Sequence, residues 1–411
     1  MNSPVLVRWL LSFGAFAAIL WIASRKTLFA DTISSAFLSV ALFSIFLILV
    51  RTRFSWRELG GVAIIFGMLY LLDIRILGYR YSWPVVASYV GIAGLVLLVL
   101  RAIWAAAAER RIALLTCSAA FLFVASEWCA SYFLEWGERA RPTTLDLFLY
   151  SFDASLGVQP AMVLGQMFVR FPVFGIVSQV IYLALPVAIG LTFAGCVAKV
   201  REDAFPAVVA FLITGPIGAC FYAMFPALGP VHILRVDFPW HSLTMEQARH
   251  LLVEPIAMPG ARNAIPSLHA AWIFLVYWFS RRLSLVEKIG AGIFVCFTLC
   301  ATLGTGEHYF VDLVVAVPFT LMILGVTQII CVRNQSVPWA AFFYGLGATL
   351  LWFALLRYAN HFFWVSLLVP WLACIFTVAF TWYFGRGVSC ATTSGEIVPS
   401  EARESGVCAN S

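Results

Sequence analysis

Apolar residues run along this chain in unbroken blocks rather than alternating with polar ones. Blocks of about 20 residues are what a helix needs to cross a bilayer. Read this way, the sequence predicts twelve spans, at roughly 5–24, 33–50, 60–78, 83–104, 112–134, 173–196, 204–225, 266–280, 288–304, 308–331, 338–357 and 362–385. The third is the weakest, because Asp73 and Arg75 lie near its end. Two long polar connections, 135–172 and 226–265, interrupt the series. Within the first of them, Leu145, Phe148, Leu149 and Phe152 recur at helical spacing, with Asp146 and Asp153 placed to face water. A short helix lying in the membrane interface is expected there. The fold class is therefore all-α, a polytopic membrane bundle of about twelve helices, with a polar, disordered tail at 386–411.

Composition strengthens that picture. Of 411 residues, 62% are hydrophobic and 11% charged, and the mean hydropathy is +0.94. A soluble domain of this length has no core large enough to hide so much apolar surface. The formal charge of +6 is spread over short loops and forms no basic stripe, so no nucleic-acid partner is expected. The ten cysteines form no CxxC or Cys/His ligand pattern, and neither metal nor cofactor is expected. The block 5–24 is long for a signal peptide and has no convincing cleavage site, so it counts as a span.

Lys and Arg in the short loops orient the bundle. Arg51, Arg53 and Arg57, then Arg101, Arg110 and Arg111, then Lys199 and Arg201, then Arg281, Arg282 and Lys288, and finally Arg333 fall on one side. That side is expected to be cytoplasmic, with both termini; Arg25 and Lys26 oppose it as a minority. The two long connections then face outward, as do all six histidines, His232, His241, His250, His269, His308 and His361.

Two of those histidines bring unusual company. His269 opens an apolar span within "ARNAIPSLHAAW", beside Arg262 and Ser267. His308 opens another within "GTGEHYFVDLVV", and Asp312 follows one helical turn later, where an intramembrane carboxylate demands a partner. Positions i and i+4 share a helix face, so Asp312 can fix the tautomer of His308 and leave its other nitrogen free to attack. One imidazole attacking phosphorus, and a second giving a proton to the leaving oxygen, make a phosphotransfer site. The two groups are wanted on opposite faces of the phosphate. Ser267 and the amides at the start of that span could then hold phosphate oxygens. Arg262 has two readings, a phosphate ligand or a contact to lipid head groups.

On these residues the chain resembles the phosphatidic acid phosphatase type 2 (PAP2) superfamily. "PSLHA" is similar to its second signature, usually Pro-Ser-Gly-His, and "HYFVD" to the His-x3-Asp of its third. The resemblance implies a six-span catalytic core at 112–331, flanked by about four helices in 1–111 and two in 332–385. It also implies His308 as nucleophile, Asp312 as its partner, His269 as the acid, and no metal. The first signature, Lys-x6-Arg-Pro, is missing: "RARP" at 139–142 ends correctly, but Leu134 stands at the Lys position. Ala301-Thr302 replaces the Ser-Arg that opens the third. A dianionic monoester suffers more from such lost cations than a monoanionic diester.

Those departures, together with "TLDLFLYSFDASLG" at 144–157, resemble the inositol phosphorylceramide synthase and inositolphosphotransferase branch. The expected function is a phospho-head-group transferase acting on lipids through a phospho-histidine. The alternatives are a PAP2-type lipid phosphate phosphatase and, less favoured, a lipid transporter or flippase. The expected location is a bacterial plasma membrane, with the site facing the periplasm.

Overall fold

The computed structural model describes residues 36–52, 55–74, 82–331 and 337–391. The expected first span, with Arg25 and Lys26, lies outside them, as do Arg53, Arg75, Arg333 and residues 392–411. The last helix runs on through 386–391, six positions assigned from sequence to the tail.

Among the described residues the regular structure is helical apart from one two-residue antiparallel pairing, Thr143–Thr144 with Ile256–Ala257. In order come α1 (Ala36–Thr52), α2 (Trp56–Leu72), α3 (Trp83–Trp104), α4 (Ala107–Ala140), α5 (Asp146–Ser155), α6 (Pro160–Arg170), α7 (Pro172–Leu183) and α8 (Leu185–Lys199). They are followed by α9 (Arg201–Met224), α10 (Pro230–Leu234), α11 (Met245–Arg249), α12 (Leu268–Ser280), α13 (Leu285–Gly304), α14 (Phe310–Cys331), α15 (Val337–Tyr358) and α16 (Leu368–Ala391).

Among the described residues, seven helices are long and apolar enough to cross a membrane: α3, α4, α9, α13, α14, α15 and α16. The number rises to nine if the bent pairs α5–α6 (84°) and α7–α8 (53°) each make one span. The expected span 173–196 is the second of these pairs. It breaks at Ala184, where Pro186 opens α8. The expected span 266–280 is a helix of only 13 residues. At about 1.5 Å per residue it falls short of a 30 Å hydrocarbon core, and the irregular chain before it must complete the crossing.

The stretch 135–172 is not the polar connection its sequence suggests. α4 continues to Ala140, and α5 is buried along its length, with only Leu147 partly exposed. Asp146 and Asp153, expected to face water, are buried in the protein.

α14 lies at the centre, packed against α9, α12, α15 and α16, and is buried on nearly every face. A helix that is apolar all round belongs in such a position. α12 packs against α8, α9, α13 and α14, so the helices that carry His269 and Asp312 are neighbours. At the far end of α12 the cationic loops gather. Ser284 and Glu287 form a capping box at the start of α13, and Glu287 pairs with Arg51 and with Lys199 at 2.6 Å. Arg282 pairs with Glu202 and Asp203, each at 2.8 Å. Loops grouped by their positive charge in the sequence thus meet at one end of the bundle, opposite Ser267.

Candidate active site

At the other end, buried side chains satisfy irregular backbone. Non-helical backbone inside a membrane protein survives only where the protein itself supplies partners. Asp146 accepts hydrogen bonds from Leu228 N–H at 3.0 Å, Gly229 N–H at 2.9 Å and the Tyr309 hydroxyl at 3.2 Å. Asp153 accepts from Phe310 N–H at 2.7 Å and Val311 N–H at 3.2 Å, the first two amides of α14. Glu138 accepts from Gly260 N–H at 2.8 Å.

On this framework His308 sits just before α14, which starts at Phe310 rather than at residue 308. The expected pairing with Asp312 nevertheless forms, with His308 Nδ1 3.4 Å from Asp312 Oδ2. Asp312 Oδ2 also accepts from Tyr309 N–H at 2.8 Å, which pins the carboxylate against the turn. A second acceptor, the Ala264 carbonyl, lies 3.0 Å from the same Nδ1. Two acceptors at Nδ1 assign the proton there, so Nε2 carries the lone pair. That nitrogen is 3.2 Å from Ser267 Oγ. The Ser267 hydroxyl accepts from Ala270 N–H at 3.3 Å as the N-cap of α12 and donates to Nε2, one role at each lone-pair direction.

His269 is two residues further on. Its ring stacks on Tyr182 with centroids 4.1 Å apart and planes at 17°, and Trp272 and Phe37 flank it. The Tyr182 hydroxyl is 3.2 Å from His269 Nδ1. Nearly parallel rings place that hydroxyl over the imidazole rather than along its lone pair, so we read the contact as part of the stack.

Two expected phosphate ligands are otherwise occupied. Arg262, buried in the loop, donates to the carbonyls of Arg141 (3.0 Å), Pro142 (3.1 Å), Met258 (2.6 Å) and Gly260, four of its five N–H groups. It ties the "RARP" segment to the loop before α12. Three amides at the start of α12 are also engaged. Ser267 N–H donates to the Asp312 carbonyl at 3.2 Å, Ala270 N–H to the Ser267 hydroxyl at 3.3 Å and Ala271 N–H to the Ser267 carbonyl at 3.0 Å. Among the described residues, no Lys or Arg side chain hydrogen-bonds Ser267, His269, His308 or Asp312. Among them, too, no group of three or more His, Cys, Asp or Glu is arranged to hold a metal ion.

At the rim, Glu307 faces His232 across 3.7 Å, and the two side chains remain 42% and 37% exposed. The carboxylate pushes the His232 imidazole above its usual range, against the burial that lowers it, and His232 holds Glu307 below the ordinary carboxylate range.

Sequence reasoning missed Asp146, Asp153, Tyr182, Tyr309 and the Glu307–His232 pair. Their signal was thin. Asp146 and Asp153 are seven residues apart, on one face of an otherwise apolar helix.

Residues 147–326 match the family model described as the PAP2 superfamily. The match takes in Asp153, Ser267, His269, His308 and Asp312, and leaves α1–α4, α15 and α16 outside; it extends to the superfamily and to no branch of it. No curated protein and no solved structure matches the chain.

Proposed function

We propose that this protein is a membrane-embedded phosphotransferase that moves a phosphate-bearing head group from a lipid phosphodiester to an acceptor hydroxyl, through a covalent intermediate on His308. The observation that carries the reading is the placement of that imidazole, with Nδ1 3.0 Å from the Ala264 carbonyl and 3.4 Å from Asp312, and Nε2 3.2 Å from the Ser267 hydroxyl. Nε2 donates its lone pair to phosphorus, the bond from phosphorus to the leaving oxygen breaks, and His269, which takes up a proton as the anionic diester binds beside it, gives that oxygen the proton. The acceptor oxygen then attacks, the P–N bond returns its electrons to Nε2, and the hydroxyl proton goes back to His269. Ser267 follows the change by turning its hydroxyl from Nε2 to a phosphate oxygen.

The absence of a guanidinium or ammonium on the site residues favours a diester, with one negative charge, over a monoester with nearly two. The cationic loops at the opposite end support an outward-facing site in a bacterial plasma membrane. The test uses purified protein in detergent with a phosphate-labelled phosphodiester lipid, with and without a polyol. Appearance of label in a new polyol phosphodiester is the expected result. Inorganic phosphate as the sole product would make the protein a hydrolase instead, and no conversion in the absence of compartments would point to transport.

His269 carries a separate expectation. His269→Ala should lower turnover of alkyl-leaving-group substrates by about 10²–10⁴-fold, the range of general acid catalysis. A p-nitrophenyl phosphodiester, whose leaving group needs no proton, should recover most of that loss. Equal losses on both substrates would remove His269 from the acid role.

A further inference from the structure

Three of the four carboxylates around His308 are consumed by the backbone. Asp146, Asp153 and Asp312 each accept at least one main-chain N–H. Glu307 does not. Its recorded partner is His232 at 3.7 Å, too far for a good hydrogen bond, so both groups keep hydrogen-bonding capacity to spare. Both side chains stay partly exposed.

Their placement is deliberate in the backbone. Val231 N–H donates to the Gly306 carbonyl at 3.0 Å, fastening the turn before His232 to the turn before His308. Gly229 holds φ at +136°, and a Cβ there would lie 2.4 Å from the Glu307 carbonyl oxygen. Only glycine allows so close an approach. Glu307 immediately precedes His308 in the chain, so its pairing with His232 adjoins the proposed nucleophile.

Resting on the proposed transfer reaction, we infer that Glu307 and His232 form the acceptor subsite, a carboxylate and an imidazole that bind the hydroxyls of a polyol and hold one of them over the phosphorus on His308. A carboxylate and an imidazole offer adjacent acceptor and donor groups, the complement of neighbouring hydroxyls. They do not suit an alkyl chain, and a negative carboxylate repels a second anionic phosphate. The acceptor class is accordingly a neutral polyol. Glu307 binds; the hydroxyl proton still leaves to His269 as the P–N bond breaks.

The readout is the partition of the covalent intermediate between polyol and water, measured as the ratio of transfer to hydrolysis product at fixed concentration of glycerol or myo-inositol. That ratio depends neither on how much enzyme is folded nor on how fast the intermediate forms. Glu307→Gln is expected to lower it about tenfold, the worth of one charge-assisted hydrogen bond. Glu307→Asp should retain more of it than Glu307→Gln, and His232→Gln should lower it less. A wild-type ratio in both Glu307→Gln and His232→Gln would overturn the subsite while leaving the transfer reading intact. Hydrolysis alone by the wild-type protein, at every polyol concentration, would overturn both.

Discussion

His308→Ala should reduce conversion of lipid phosphodiester by about four orders of magnitude or more, the scale on which removal of a catalytic nucleophile is felt. The expectation is strict because nothing else around the phosphorus can take over. Ser267 is bound to Ala270 N–H and lacks a base once the imidazole is gone. Asp312 turns one oxygen to Tyr309 N–H and is buried away from the rim. In the proposed mechanism His269 serves the leaving group and not the phosphorus. The wild-type protein, quenched with labelled donor in the absence of acceptor, should carry label that acid releases and base does not, as a P–N bond requires. The alanine variant should carry none. Turnover within tenfold of wild type in His308→Ala would sink the covalent mechanism, whatever the other variants did. His308→Gln, which keeps a donor for the Ala264 carbonyl, separates chemistry from folding: it should regain stability but not label.

What could be read ahead from the sequence was local. His308 and Asp312 are four residues apart, and Ser267 and His269 two, so spacing alone brought each pair together. The meeting of the two pairs followed from both segments opening at the same end of apolar spans. The α3 limits, Trp83–Trp104, coincide with an uninterrupted apolar block, with Pro84 at its start. What escaped the sequence depends on partners far away in the chain. Asp153 is 157 residues from Phe310, and Asp146 is 82 from Leu228. Nothing local says that those amides will be buried and need an acceptor. Arg262 reads as a phosphate ligand until carbonyls about 120 residues earlier capture it. A cation near a site is visible in sequence; the backbone that uses it is not. Hydropathy also misjudged 135–172, because two aspartates and a bend at Gly157 lower its average although α5 is core.

Asp153 tests the idea that the reaction centre is built on buried carboxylates holding amides. Asp153→Ala strands Phe310 N–H and Val311 N–H at the start of the most buried of the candidate spanning helices. Each unsatisfied buried donor costs about 1–3 kcal/mol. Removing a buried carboxylate also removes its own desolvation cost, which offsets part of that loss. A net destabilisation of about 2–4 kcal/mol is expected, read as a lower midpoint in thermal or denaturant unfolding in detergent. The chemical consequence should exceed the thermodynamic one. Asp312 lies in that first turn, and its grip on His308 Nδ1 is already 3.4 Å long. Fraying of Phe310 and Val311 lengthens it further, leaves the Ala264 carbonyl as the acceptor at Nδ1, and weakens the carboxylate that stabilises the imidazolium formed on attack. Turnover per folded molecule should therefore fall about a hundredfold, since small misplacements of a reacting group cost that much. Asp153→Asn separates the two effects. Its one remaining acceptor oxygen can hold a single amide, so stability should recover only partly, and activity should follow the geometry of the turn rather than the lost charge. If Asp153→Ala unfolded like wild type and turned over at the wild-type rate, the carboxylate would not be what positions Asp312, and the start of α14 would have to be held by packing against α5 alone.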